Sequence, residues 1–369
     1  MQVNRILDVQ DGDALGTLRG FLAEWWNSYQ PEAMLAPVEQ VEKSTVIVQV
    51  IEDPADLGRV NPFVPIMLSN SAGQANQLVQ EHPGARLAAM LRPCELRTYT
   101  ELRKREQNLR SRREQTSPSQ PADEDHMVVF GVDCLGTYPI GELRRNVYQQ
   151  DLDRITRDTL HNAASGGFQT LHIRTACQVC DWPAPWGADV SVGTIGVDTE
   201  KYLLVLARSE QRDQELELDK LAGRTATEYQ VSRRETVVGA IADAHAGMRR
   251  NMMTNAPGHM RFDDLGSMLA WFASCSLCGN CLKACPLYRG ELDSLAGLAD
   301  VNSAGQPSLA DLVQASRWLA TCSGCGMCEE KCGRDVPLTL FISALSHRIR
   351  EEAHYIAGSP SQQYPWAGQ

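Results

Sequence analysis

Apolar side chains recur along this chain with two different periods. From Ala14 to Tyr29 the residues Leu15, Leu18, Leu22, Trp25 and Trp26 return at helical spacing and Pro31 follows, which predicts a helix ending just before the proline. Ser44 to Ile51 (STVIVQVI) is short and rich in β-branched residues, the pattern of a buried strand. The same reading predicts a helix at about 74–81, a strand at 85–91, a helix from Pro93 to about Asn108 and a strand at 127–132. A helix at 141–161, strands at 188–193 and 202–207, and helices at about 215–221 and 235–248 come next. Around 252–260, Pro257 and Gly258 read as a linker, and beyond it only helices are expected, at 309–319 and from Pro337 to about Tyr355. The polar stretch 111–125 reads as a surface loop. Strands alternating with helices specify an α/β domain, in which ligands gather at the carboxyl ends of the strands. The expected division is therefore an α/β domain over 1–256, a mostly helical domain over 257–357 and a short polar tail over 358–369.

Composition narrows the classes of partner. A formal net charge of −11 argues against nucleic acid, whose phosphates need a basic face. The exception is local: Arg97, Arg103, Lys104, Arg105, Arg110, Arg112 and Arg113 crowd one segment. Such a run reads first as a solvated face, and second as a dock for an acidic partner or for cofactor phosphates. No apolar run is long enough for a bilayer, and no basic leader precedes an apolar core, so a cytoplasmic protein is expected. In that reducing compartment 12 cysteines are metal ligands before they are disulfides.

Their spacing carries the chemistry. CSLCGNCLKACP from Cys275 and CSGCGMCEEKCG from Cys322 each place cysteines as C-x2-C-x2-C-x3-C. This is the 4Fe–4S spacing, in which three thiolates hold one cluster and the fourth reaches the other. One set is then Cys275, Cys278, Cys281 and Cys332, and the second Cys322, Cys325, Cys328 and Cys285. Zinc, which favours paired C-x2-C ligands often joined by His, is the weaker alternative. A helical spacer between the runs points to a helical, ferredoxin-like two-cluster domain.

Cys94, Cys134, Cys177 and Cys180 remain. Cys94 and Cys134 follow strand ends, Cys94 at a helix N-terminus where the dipole favours a thiolate, and Cys177 and Cys180 form a C-x2-C pair. Together they read as a third four-thiolate site, iron–sulfur before zinc. Asn70-Ser71-Ala72-Gly73 precedes a helix and is either a plain cap or a phosphate seat. Gly193 and Gly196 bracket a turn that either approaches a planar ligand or is simply a turn.

In order, Arg92-Pro93-Cys94-Glu95, Gly131-Val132-Asp133-Cys134, Ala176-Cys177-Gln178-Val179-Cys180 and Ala188-Asp189-Val190-Ser191-Val192-Gly193 resemble the beta subunits of coenzyme F-420-reducing hydrogenases and formate dehydrogenases. Residues 270–355 are similar to the two-cluster domains of heterodisulfide reductase subunits. The resemblance implies an α/β flavin and iron–sulfur domain with FAD and one 4Fe–4S cluster on Cys94, Cys134, Cys177 and Cys180. It implies an oxidoreductase subunit passing electrons between a deazaflavin such as coenzyme F-420, or ferredoxin, and a catalytic partner of formate dehydrogenase, hydrogenase or heterodisulfide reductase type. FAD is expected near Asn70, Ser71, Gly73, Arg92, Glu95 and Gly193; a three-cluster conduit without flavin is the alternative. The chain departs from the family in three places. It has Asn70-Ser71-Ala72-Gly73 where Ser-Gly-Gly is common, its two-cluster segment follows the flavin domain, and Gly333 stands where proline is usual after the last cysteine.

Overall fold

Each strand expected from the apolar runs finds a place in one eight-stranded sheet of the computed structural model, which describes residues 2–40, 44–114, 127–146, 151–167, 172–255, 272–276, 278–289, 309–364 and 366. The strands are β1 (Val3–Asp8), β2 (Ala33–Gln40), β3 (Thr45–Ile51), β4 (Leu87–Leu91), β5 (Met127–Val132), β6 (Val190–Gly193), β7 (Tyr202–Ala207) and β8 (Arg224–Thr225), in the spatial order β3-β2-β4-β5-β6-β7-β1-β8. β2, β4, β5 and β6 run parallel; β3 on one side and β7, β1 and β8 on the other join antiparallel. β1 and β2 had no strand signal. Arg5 interrupts the first, and the second carries alanines and Pro37, which are poor strand formers. The parallel ladder from β4 covers only Ala33, Met34 and Leu35, so Pro37 never has to donate into it.

Helix α1 (Ala14–Tyr29) begins at Asp13, whose carboxylate accepts the Gly16 N–H, and ends at Gln30 in the left-handed conformation, φ 53°. Its apolar stripe of Leu18, Leu22 and Trp25 packs on alternate sheet residues including Met34, Met90, Phe130, Val192 and Val205. Trp25 meets Phe130 edge-on with ring centroids 4.8 Å apart. The period of two in the strands and of 3.6 in the helix meet across this layer.

Three predicted helices differ in extent for local reasons. The one expected at 141–161 is two, α4 (Ile140–Asn146) and α5 (Leu152–Ser165), because Asp151 caps a fresh start by accepting the Arg154 N–H. The one at 215–221 is also two, α7 (Glu210–Glu215) and α8 (Leu218–Leu221), divided at Glu217 with φ 51°. The last of this part, α9, is longer than expected (Glu228–Thr254); most of the linker read at 252–260 lies outside the described residues. Helices α2 (Ala72–Glu81) and α6 (Thr175–Gln178) are short, whereas α3 runs from Pro93 to Glu114.

By its internal contacts the chain divides into two compact units, Met1–Leu96 with Pro121–Ala246, and Arg97–Gln120 with Gly247–Gln369. The first holds the sheet. The second holds most of α3 together with the helices Asn280–Ala284, Pro286–Arg289, Leu309–Ala320, Met327–Glu330 and Leu338–Ala353. Its core is Leu319, Val336, Leu338 and Ile342, with Cys275, Cys281, Cys322, Cys328 and Cys332 packed against it.

The basic segment is not a solvated face where its side chains are described. Arg97, Arg103 and Lys104 are buried, as is Glu101. Their burial is matched by polar partners: Glu101 accepts from Lys104 Nζ at 3.0 Å, from the Tyr355 hydroxyl at 2.7 Å and from the Gly358 N–H at 2.6 Å. The segment read as a polar tail supplies Gly358 here, and Tyr364 beside it. Tyr364 is buried with Tyr355 and Ala357, and its hydroxyl donates to the Glu101 carbonyl at 2.8 Å. Gly358, at φ 83°, is needed here, since a Cβ would stand 2.5 Å from Arg97 Cβ. The loop expected at 111–125 lies outside the described residues from 115 onward.

Candidate metal centre

Parallel pairing sets the first part of the site. β4 and β5 are neighbours with Leu91 opposite Gly131, so the segments leaving their carboxyl ends, Arg92-Pro93-Cys94 and Asp133-Cys134, start side by side. Cys94 enters the first turn of α3 behind Pro93. Cys134 is anchored by its N–H to the Pro183 carbonyl, 2.8 Å, three residues beyond Cys180. Cys177 lies in α6, and a Cβ on Gly136 would come within 3.0 Å of Cys177 Cβ, so glycine lets these two loops touch. Backbone N–H groups are aimed at three of the sulfurs, Gly136 at Cys134, Thr137 at Cys177 and Trp182 at Cys180, each at 3.4 Å. Burial pushes the Cys134 thiol up; nearby Arg92 opposes this, while Cys177 and Glu95 add to it. A cationic centre among these sulfurs would relieve both burial and repulsion.

Sequence reasoning had not found the groups that hold this corner. Buried His245 in α9 stands with Nδ1 2.7 Å from the Cys180 carbonyl, and buried Arg174 donates to the Thr137 hydroxyl. Asp133 accepts from the Thr194 and Ile195 N–H groups at 2.9 and 3.0 Å and from Arg234 Nη2 at 2.5 Å. Gly193 serves that pair. A Cβ there would meet Arg234 Nε at 2.7 Å, so the close approach in this structure is by a guanidinium.

The residues expected to face a flavin bind one another. Glu95 accepts the Ser71 N–H at 3.1 Å, the Ser71 hydroxyl at 2.8 Å and the Arg92 N–H at 2.9 Å. Arg92 Nη2 donates to the carbonyls of Val64 at 2.7 Å and Pro62 at 3.3 Å, and Asn70 Oδ1 accepts the Ala72 N–H at 3.0 Å. A Cβ on Gly73 would meet nothing within 4 Å. At the strand ends a cavity of about 20 Å³ lies among Pro62, Phe63, Arg92, Asp133, Cys134 and Thr194, room for a water or two and not for a ring system. As the side chains stand, Glu95 already holds the Ser71 and Arg92 N–H groups.

In the second unit the two runs share one backbone design. Gly279 and Gly326, at the same place in each run, are left-handed with φ 70° and 72° and start the short helices that carry Cys281 and Cys328. Cys285 and Cys328 lie near Cys322 and Cys325, and Cys281 near Cys275 and Cys332. Cys285 is pushed up to about 12, mainly by burial and then by Cys325 and Cys322, and Cys328 is raised by burial and by Cys325, Cys322 and Cys285. Cys281 is raised by burial and by Cys332 and Cys275. Cys278 is exposed and its thiol is lowered by hydrogen bonds from the Asn280 N–H and Ser276. Trp318 Nε1 donates to Cys285 Sγ at 3.2 Å and the Gly324 N–H to Cys322 Sγ at 3.4 Å. Among the described residues no three His, Cys, Asp or Glu side chains converge on a point fit for one metal ion. A cubane asks for less convergence, since its thiolates bind at separate iron corners. The donor set, four sulfurs with N–H groups turned toward them, suits 4Fe–4S clusters.

No described helix is long and apolar enough to cross a membrane. Residues 271–336 match the model of the 4Fe-4S dicluster domain. Residues 84–229 match the model of the C-terminal part of the coenzyme F420 hydrogenase/dehydrogenase beta subunit. A chain of the F420-reducing [NiFe] hydrogenase complex from Methanosarcina barkeri is 12% identical, aligned over 69% of this chain and 92% of that one, with a TM-score of 0.42. The two family matches agree with the resemblance carried by the cysteine motifs: residues 84–229 match the C-terminal part of the coenzyme F420 hydrogenase/dehydrogenase beta subunit, and a stretch matching a 4Fe-4S dicluster domain follows.

Proposed function

We propose that the chain is an iron–sulfur electron-transfer subunit of the F420 hydrogenase/dehydrogenase type, working beside a catalytic oxidoreductase. The carrying observation is the neighbourhood of Cys285 with Cys322, Cys325 and Cys328, which supports a set in which the fourth cysteine of one run joins three of the other. When bound, 4Fe–4S clusters supply one-electron transfer. The chain's own part is to hold the thiolates, turn N–H groups toward them and keep water from the buried ones. The functional division runs at about residue 257, with two clusters after it and a third before it on Cys94, Cys134, Cys177 and Cys180. Electrons pass between ferredoxin or a deazaflavin and a formate dehydrogenase, hydrogenase or heterodisulfide reductase partner.

The second reading adds FAD at the carboxyl edge of the sheet, against Asn70, Ser71, Gly73, Arg92, Glu95 and Gly193; the family match over 84–229 favours it. The Glu95 network favours the flavin-free conduit, because the Ser71 and Arg92 N–H groups are already taken. Anaerobic purification followed by iron, acid-labile sulfide and released-flavin analysis tests both. The expected result is three clusters' worth of iron and sulfide per chain, falling by one cluster in Cys94→Ser or Cys180→Ser. Zinc with little sulfide sinks the proposal, and flavin released by acid decides for the second reading.

A further inference from the structure

Two kinds of group crowd the loops around Cys285 and Cys322. The first is the indole of Trp318, whose Nε1 donates to Cys285 Sγ at 3.2 Å while its ring meets Tyr288 edge-on at 6.1 Å. The second is a pair of guanidinium groups on α3. Arg97 is buried and donates from Nη1 to the carbonyl of Ser323, the residue after Cys322, at 3.0 Å. Arg105 donates from Nη1 to the Leu287 carbonyl at 2.5 Å and from Nη2 to the Thr321 hydroxyl at 3.4 Å. Leu287 lies two residues past Cys285 and Thr321 one before Cys322, so this guanidinium ties together the two loops that form the set. The Thr98 hydroxyl adds a bond to Ser323 Oγ at 2.7 Å. The carboxylate on the same helix, Glu101, is engaged by Lys104, the Tyr355 hydroxyl and the Gly358 N–H.

Reducing a 4Fe–4S cluster adds one negative charge that spreads onto its thiolate sulfurs. An N–H donor to such a sulfur, or a buried cation close by, stabilises the reduced form more than the oxidised form and raises the potential. We infer that Trp318, Arg97 and Arg105 are positioning residues that raise the reduction potential of the cluster held by Cys285, Cys322, Cys325 and Cys328, making it a preferred resting place for an electron in this domain. The inference rests on the proposed two-cluster assignment and adds to it which residues control one cluster.

The test is a mediated redox titration of the full chain, followed by electron paramagnetic resonance, on protein with measured iron and sulfide. Trp318→Phe keeps a ring against Tyr288 and removes the donor. The expected result is unchanged iron and a fall in one midpoint alone, by about a tenfold drop in the constant for reduction, or about 59 mV for one electron. The affected signal is the one lost or altered in Cys285→Ser. Arg97→Gln, which keeps an amide donor but removes the charge, lowers the same midpoint. Should Trp318→Phe lose iron, Arg97→Gln alone decides. Clusters present with no midpoint moved, or with all moved alike, overturn the inference; absence of clusters from the parent protein instead overturns the functional reading.

Discussion

At position 133 one carboxylate does two structural jobs. Its oxygens gather the N–H groups that open the turn after β6 and also pair with Arg234, with the Asp133 side chain fully buried and that of Arg234 11% exposed. Removing one partner of such a pair leaves a charge without compensation in a poorly solvated place, which costs about 3–5 kcal/mol, more than the net value of the pair. Asp133→Ala is therefore expected to lower stability by that amount in chemical denaturation, and Asp133→Ala combined with Arg234→Met to recover much of it. Additive losses in the double variant would show that the two side chains act separately. In the sequence Asp133 drew notice as the neighbour of Cys134, and Gly193 as part of a turn that either approaches a ligand or is simply a turn. The partner of both, Arg234, is about a hundred residues from Asp133 and sits on a helix whose pattern says nothing about it.

Among the elements, α3 was the most misread. Its helical periodicity and its start at Pro93 are visible in the residues, but its charges suggested solvent. Solvent is excluded because the last residues of the chain return to cover it, with Lys104 Nζ 4.9 Å from the Tyr355 ring centroid and hydrogen-bonded to its hydroxyl. Burial first, then the charge of Glu101 and the bond to it, hold the Tyr355 hydroxyl above its ordinary range. A group raised on folding contributes stability that is complete below its unfolded value, about 10, and that is lost as pH rises beyond it. The terminal segment is thus expected to dock equally well at pH 7 and 9 and to loosen above about 10. Limited proteolysis read by mass spectrometry checks this. Tyr355→Phe should show earlier cleavage at neutral pH and lose the alkaline step; an alkaline step that persists in this variant assigns it to another group.

Across the whole molecule the two units depend differently on metal. The sheet has a broad apolar core in which Leu18, Trp25, Met34 and Phe130 are essentially inaccessible. In the second unit cysteines make up much of what surrounds Leu319, Val336, Leu338 and Ile342. Cluster ligands thus take part in packing this small core, so iron removal is expected to loosen the fold there. Hydrogen exchange after iron removal is expected to speed up in Leu309–Ala320 and Leu338–Ala353 while β4 and β5 stay protected. Equal loss in both units would mean that the clusters are not what holds the second together.

The residues alone determined the α/β alternation, the position of α1 and β5, and the chemistry of the cysteine runs. Those features are written in local periods of 2 and 3.6 or in ligand spacings of two and three residues. Only the tertiary structure decided the places of β1 and β2 in the sheet, the burial of Arg97, Lys104 and Glu101, and the donors at Cys285 and Cys180. Each of these depends on groups far apart in the chain, such as Glu101 with Tyr355 or Cys285 with Trp318. Whether a charge or an N–H meets its partner is settled by where the backbone returns, and no local pattern encodes that return.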